Sequence, residues 1–362
     1  MKFCIVLGTR PEIIKMSPII RKCEEGGLGF FMVHTGQHYS YGMDRIFFEE
    51  LHLPQPKYNL DVGSGAHGGQ TGKMLAGIEG ILADEKPDIV YVEGDTNTVL
   101  AGALAAAKLH IKVGHVEAGL RSFDRTMPEE INRVVADHVS DLLFAPTEAS
   151  RQLLLKEGIP EEKIFVTGNT IVDAVLENMR IANDSPVLER LGVRPRSYML
   201  STVHRQENVD DRKRLADIVQ GLGLVAEEHG IPLILPAHPR TRKMLETFEL
   251  KTPENIRLIE PLGFMEFLKA EANARLVLTD SGGVQEESCI LGVPCVTLRE
   301  NTERPETIEV GANVLAGYRH EDIARCARDM LGKQSGWQNP FGDGHAGERI
   351  VDITKISLER RS

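Results

Sequence analysis

The chain has 362 residues, enough for two domains of ordinary size, and 41% of them are hydrophobic, so there is material for two cores. A formal net charge of -11 argues against nucleic acid or an anionic membrane as the main partner; an anionic substrate must be held by a few local cations. The five cysteines (Cys4, Cys23, Cys289, Cys295, Cys326) contain no CxxC pair and suggest neither a disulfide framework nor a zinc site.

The apolar run Phe3–Leu7 predicts a strand, followed at once by Gly8-Thr9-Arg10-Pro11-Glu12. The run is too short for a signal peptide, and no other approaches a membrane span, so a cytoplasmic protein is expected. Pro11 suits the first position of a helix whose apolar face is Ile13, Ile14, Ile19 and Ile20. Lys15 lies early in that helix, where a cation opposes the dipole, and this local conflict points to a functional use. Residues 30–34 predict a second strand, ending at Thr35-Gly36-Gln37-His38. The Gly-rich stretch from Asp61 to Gly72 reads as a mobile loop before a helix.

Residues 88–93 predict a strand that ends in Gly94-Asp95-Thr96, before an Ala-rich helix. The plain reading of Asp95 is a helix cap. The next strand, Lys112–Val116, ends in Glu117, and a carboxylate at the end of an apolar strand is either paired with a cation or used in chemistry. Pro128-Glu129-Glu130 opens a further helix whose acids complement its dipole. Strands at 142–145 and 164–166 complete the first half.

The polar, Pro-containing stretch Asn183–Pro195 breaks the pattern, and a second alternation begins. Strands are expected at 198–203, 232–236, 256–259, 276–279 and 294–298, and a last helix after Gly347. Alternating strands and helices predict parallel, doubly wound sheets, in which ligands bind beyond the carboxyl ends of the strands. Every candidate residue lies at such an end. In the second half these ends carry His204-Arg205, His238 and the turn Asp280-Ser281-Gly282-Gly283. That turn opens a helix expected at Val284–Leu291, where small residues permit close approach and free N–H groups favour a phosphate. Glu287 lies one helical turn inside, suited to sugar hydroxyls, and Arg304 offers a guanidinium for diphosphate oxygens. The absence of GxGxxG after the first strand and of a Walker sequence leaves dinucleotide and NTPase roles unsupported, and the histidines do not stand at metal-ligand spacing.

The stretches GTRPEIIK (8–15), EGDTNT (93–98), GHVEAGLR (114–121), PEEINR (128–133), TVHRQEN (202–208), TDSGGVQEE (279–287) and TERPE (302–306) stand in one order across nearly the whole chain. Together they resemble the non-hydrolysing UDP-N-acetylglucosamine 2-epimerases. The resemblance implies a glycosyltransferase-B-like fold: α/β, two Rossmann-like doubly wound parallel-sheet domains facing a central cleft. Residues 1–168 with a returning helix at 347–362 would form the acid–base domain, and 169–346 the UDP-binding domain. It implies interconversion of UDP-N-acetylglucosamine and UDP-N-acetylmannosamine without an added cofactor or metal. UDP would be eliminated to leave a 2-acetamidoglucal and then re-added. By resemblance Asp95, Glu117 and Glu129 match the acid–base carboxylates, with His204 counted beside them as a partner of the departing diphosphate. Arg10, Lys15, Phe267, Ser281, Gly282, Gly283, Glu287 and Arg304 match substrate-binding positions. Some bacterial members bind a second substrate molecule as activator; Gln37, Gln70, Arg205 and His238 fall where that site would lie. A homodimer without nucleic-acid or membrane partners is expected. The rival readings are a glycosyltransferase of the same architecture, a hydrolysing epimerase and a catalytically silent UDP-sugar sensor.

Overall fold

The computed structural model of the chain describes residues 1–36, 41–333 and 336–359; Gln37 lies outside them. A seven-stranded sheet comprises β1 (Lys2–Leu7), β2 (Gly29–His34), β3 (Tyr58–Asn59), β4 (Ile89–Glu93), β5 (Lys112–Val116), β6 (Leu142–Ala145) and β7 (Ile164–Val166). A six-stranded sheet comprises β8 (Met199–Thr202), β9 (Leu233–Pro236), β10 (Ile256–Ile259), β11 (Val277–Thr279), β12 (Cys295–Thr297) and β13 (Asn313–Leu315). Every pairing is parallel. Continuous apolar runs such as Ile89–Val92, buried at every position, arise because helices cover both faces of a parallel sheet. The two strand orders, β3-β2-β1-β4-β5-β6-β7 and β10-β9-β8-β11-β12-β13, each reverse direction between a first strand and its neighbour. Those switch points, β1/β4 and β8/β11, leave a crevice outside the carboxyl ends.

The strands at Tyr58–Asn59 and Asn313–Leu315 were not expected: the first has two residues and the second opens on a polar asparagine, so neither presents an apolar run. The stretch from Asp61 to Gly72 is a loop only to Ala66, because the helix His67–Glu85 already holds Gly68, Gly69 and Gly72. Likewise Gly282 and Gly283 form the first turn of the helix Gly282–Ile290 instead of preceding it. Glycine disfavours a helix interior, which is why composition alone reads these segments as loops.

The chain divides into Met1–Ala174 with Phe341–Ser362, and Val175–Pro340. The break lies after residue 174 because the start of the helix Thr170–Ala182 is tied to the returning segment. Asn169 N donates to Phe341 O at 2.8 Å, and the Asp173 carboxylate accepts from Ala346 N at 3.2 Å and Gly347 N at 2.8 Å. The returning helix Ala346–Glu359 packs on Arg10–Glu25, where a Cβ on Gly347 would stand 2.8 Å from Pro18 Cβ. Pro18 cannot donate to the Ile14 carbonyl, which instead accepts from Ser17 Oγ at 2.8 Å. Cys4, Val6, Val33, Ile78, Val90 and Val113 lie in the core of the first unit, and Met199, Leu222, Leu233, Leu278, Val296 and Ile323 in that of the second. All five cysteines are buried and unbridged. Among the described residues no helix is long and apolar enough to cross a membrane, and no cluster of His, Cys, Asp and Glu could hold a metal.

Candidate functional site

In the first unit the loops beyond β1, β4 and β5 converge. Thr9 and Glu12 form a capping box, with the Glu12 carboxylate accepting from Gly8 N at 2.6 Å and Thr9 N at 2.8 Å. A Cβ on Gly8 would lie 1.9 Å from Thr35 Oγ1, so this loop closes only around glycine. The helix that the box opens carries Lys15 to the carboxyl ends of β4 and β5. Its Nζ lies 2.7 Å from each oxygen of Glu117 and 3.4 Å from Glu93 Oε1. Asn169 Nδ2 donates to Glu117 Oε1 at 3.0 Å. The conflict of Lys15 with its helix dipole is thus offset by two buried carboxylates. Glu117 itself has φ 65°, a left-handed backbone that costs a non-glycine residue about 1 kcal/mol or more. Burial pushes Glu93 well above the usual carboxylate range; Lys15 opposes this and Glu117 adds to it. Burial likewise raises Glu12 to about 7, against its hydrogen bonds from Thr96, Gly8 and Thr9.

Asp95 is not the cap of the following helix. Thr96 is, accepting from Thr98 N at 3.1 Å and Val99 N at 3.4 Å. Asp95 is released to pair with the Arg133 guanidinium, while Asn132 Nδ2 holds its backbone oxygen at 2.9 Å. It lines a cavity of about 250 Å³ with Asn97, Gln70, Asn132 and Glu129. The two neighbouring acids of that helix separate cleanly. Glu130 is buried and accepts from Ser122 N and Oγ at 2.9 Å and Phe123 N at 3.0 Å, whereas Glu129 faces the cavity. Gln70 spends both ends of its amide inside the unit, donating to Gly63 O and accepting from Asn97 Nδ2, each at 2.8 Å. The Arg10 guanidinium lies 5.7 Å from the centre of the Phe47 ring.

In the second unit the loops beyond β8 and β11 are joined by Asp280. This fully buried carboxylate accepts from His204 N at 3.0 Å, Arg205 N at 3.0 Å, Asn208 Nδ2 at 3.1 Å and the His204 ring at 3.0 Å. Burial would raise it; those donors hold it below the usual range. Ser281 caps the helix Gly282–Ile290, accepting from Val284 N at 3.5 Å. A Cβ on Gly282 would meet nothing nearer than Glu303 Oε2 at 3.8 Å, and on Gly283 nothing nearer than Ser281 Oγ at 4.0 Å. The fold therefore leaves room for side chains that the sequence omits. Beside this helix end a cavity of about 280 Å³ is lined by His204, Pro236, His238, Leu262, Phe267 and Ser281. His238 is kept below its ordinary imidazole value by burial and then by His204 and Arg240. Arg304 Nε stands 2.6 Å from buried Glu286, and Arg205 3.9 Å from Glu303. Glu287 is buried beside Glu271, a carboxyl that accepts from Ser288 Oγ at 2.7 Å. Burial, and then the negative charge of Glu287, push Glu271 well above its ordinary range.

Glu93, Asn169, Glu271, Asp280 and Glu286 were not among the residues expected here. Glu93 ends an apolar strand as Glu117 follows one, so the same signal applied to it. Glu271 stands four residues after Phe267 on the helix Phe264–Ala272, on the same face, a spacing that could have betrayed it.

Fold and loops define a two-domain Rossmann-like protein with polar side chains gathered at the carboxyl ends of both sheets. The family model for UDP-N-acetylglucosamine 2-epimerase matches residues 21–355, and the chain belongs to that family. The UDP-N-acetylglucosamine 2-epimerase of Methanocaldococcus jannaschii is 59% identical over 360 residues, 98% of each chain. The crystal structure of the UDP-GlcNAc 2-epimerase of that organism in complex with UDP-GlcNAc and UDP is similar at a TM-score of 0.88 and 58% identity, covering 98% of this chain and 100% of that one. The UDP-2,3-diacetamido-2,3-dideoxy-D-glucuronate 2-epimerase of Pseudomonas aeruginosa is 44% identical over 358 residues, 97% of this chain and 99% of the relative.

Proposed function

We propose that the protein is a non-hydrolysing 2-epimerase that interconverts UDP-N-acetylglucosamine and UDP-N-acetylmannosamine. The observation that carries the reading is the placing of Asp95 and Glu117 just beyond neighbouring strands β4 and β5. A Cβ on intervening Gly94 would stand 3.8 Å from Glu117 Oε2. Epimerisation at a carbon that bears hydrogen needs one group to remove the proton and another to return it from the opposite face.

The sugar C2 is not next to a carbonyl, so its proton is acidic only as the C1–O bond breaks. A carboxylate of the first unit takes the C2 proton, the C–H pair becomes the C1–C2 double bond, and UDP leaves with the C1–O pair. Re-addition of UDP, with protonation at C2 from the other face, gives the epimer. Lys15 is paired with Glu117, and Arg133 with Asp95. Glu129 is the third acid–base group. The second unit holds UDP. The helix start at Ser281–Gly283, the Arg304 guanidinium and the His204 ring serve the diphosphate, Phe267 lines the base pocket, and Glu287 accepts from ribose hydroxyls.

The test is incubation with UDP-N-acetylglucosamine in D2O, followed by NMR. Deuterium should appear at C2 of both epimers, with no free N-acetylmannosamine accumulating. Free sugar would favour the hydrolysing reaction, and transfer only to an added acceptor would favour a glycosyltransferase. The same assay with UDP-2,3-diacetamido-2,3-dideoxy-D-glucuronate shows whether that sugar is the better substrate.

A further inference from the structure

His115 lies on β5, its side chain wholly enclosed, two residues before Glu117. Its Nδ1 is 2.7 Å from Asp137 Oδ1, and its Nε2 is 2.8 Å from the backbone oxygen of Gly94. A carbonyl oxygen can only accept. The Asp137 carboxylate also accepts, because its other oxygen takes Gly119 N at 3.2 Å and the Arg121 guanidinium at 2.7 Å. Both ring nitrogens must therefore donate, which only the imidazolium can do. The charged groups against it are Asp137 from the helix Pro128–Val139 and Arg121 from the loop after β5. Arg121 in turn is bonded to Glu157. Burial would discharge the ring, but Asp137 and the Gly94 carbonyl outweigh it and raise it above the ordinary imidazole value.

The three elements joined by this ring are those that carry the acid–base candidates. Gly94, at φ 83°, immediately precedes Asp95. His115 and Gly119 flank Glu117, and Asp137 stands on the helix whose first turn bears Glu129. We propose that His115 and Asp137 are positioning residues that set the mutual spacing of Asp95, Glu117 and Glu129, with His115 acting as a permanent buried imidazolium. The proposal rests on the epimerase reading for its consequence in catalysis, though the state of the ring does not depend on it.

The test combines two variants with one spectroscopic measurement. His115→Gln keeps a donor but cannot bridge both acceptors. It should lower kcat about 100-fold, the effect of a small misplacement of catalytic groups, while UDP binding and KM stay within about threefold. Asp137→Asn removes the charge that holds the imidazolium. Its kcat should be low at neutral pH and recover as pH falls and the ring regains its second proton, a profile that simple loosening would not produce. Nitrogen-15 NMR of the wild-type histidine should show both ring nitrogens protonated from about pH 6 to 8. A neutral ring at pH 7, or a folded His115→Gln with wild-type kcat, would overturn the proposal. Should His115→Gln not fold, the Asp137→Asn profile and the spectrum decide. A wild-type protein that does not epimerise, yet shows the doubly protonated ring, would defeat the functional reading alone.

Discussion

Lys15 Nζ lies 2.7 Å from both carboxylate oxygens of Glu117, whose backbone is held at φ 65°. A buried ion pair on a left-handed residue is a strained arrangement that the surrounding loops over-determine. Replacing Glu117 by Gln should cut kcat by a factor of about 100 to 10,000, the loss expected for the general acid–base role proposed for it. UDP affinity should hardly move. Unchanged turnover would remove Glu117 from the chemistry.

Lys15→Met should unfold the first unit more readily. It leaves Glu93 and Glu117 buried without their cation, an effect of about 3 kcal/mol for a broken buried pair. Adding Glu117→Gln should recover part of the loss, and a denaturant double-mutant cycle measures the coupling. Strict additivity of the two changes would show that the pair is not energetically linked.

Glu12 and Glu93 bind protons more tightly when folded than when unfolded, Glu12 titrating at about 7 in place of 4.5. For a raised carboxyl, stability is fully present below the unfolded value and is lost as pH rises through the folded one. Between pH 4.5 and 7 the contribution of Glu12 should fall by up to about 1.4 kcal/mol per pH unit. Glu93 extends the decline in the same direction. Glu93→Gln, neutral throughout, should flatten the fall of Tm on the alkaline side. A variant with the wild-type slope would show that Glu93 does not titrate there.

Gly283→Ala should separate stability from binding. In the first turn of the helix alanine is favoured over glycine by at most about 0.5–1 kcal/mol, and a Cβ on Gly283 would stand 4.0 Å from Ser281 Oγ. Tm should hold or rise, while UDP binding measured by calorimetry weakens at least tenfold. Equal affinity would mean that no ligand approaches this turn closely.

Arg304→Ala should do two things at once. It removes the cation proposed for the diphosphate and takes the guanidinium away from Glu286, which is 2% exposed. Affinity for UDP and Tm should fall together. In the double variant with Glu286→Gln the Tm should recover and the affinity should not. Recovery of both would assign Arg304 to the fold alone.

The alternation of strands and helices, and the gathering of polar residues at strand ends, were legible in the sequence because parallel strands are apolar throughout and stop abruptly. Strand β13 was not legible, because Asn313 breaks the apolar run between Ala312 and Val314. The ends of glycine-bearing helices were misread because propensity points the other way from tertiary packing. Which of Glu129 and Glu130 faces the cavity depended on the loop at Ser122 and Phe123 folding back onto Glu130, a contact across seven and eight residues. The partners Glu286 of Arg304 and Asp280 of His204 were hidden for a like reason. A buried acid beside a cation looks, in one dimension, like any other charge.

The clasp of Gly347 against Pro18 has a consequence for biosynthesis. A nascent chain emerging amino end first carries the seven strands of its first sheet long before the helix that packs on Arg10–Glu25 has been translated. The intervening unit, uninterrupted from Val175 to Pro340, has all its parts out of the ribosome sooner. The portion made first is therefore the portion finished last, and a ribosome stalled short of Phe341 should release a protein whose carboxyl-terminal half is the more resistant to protease.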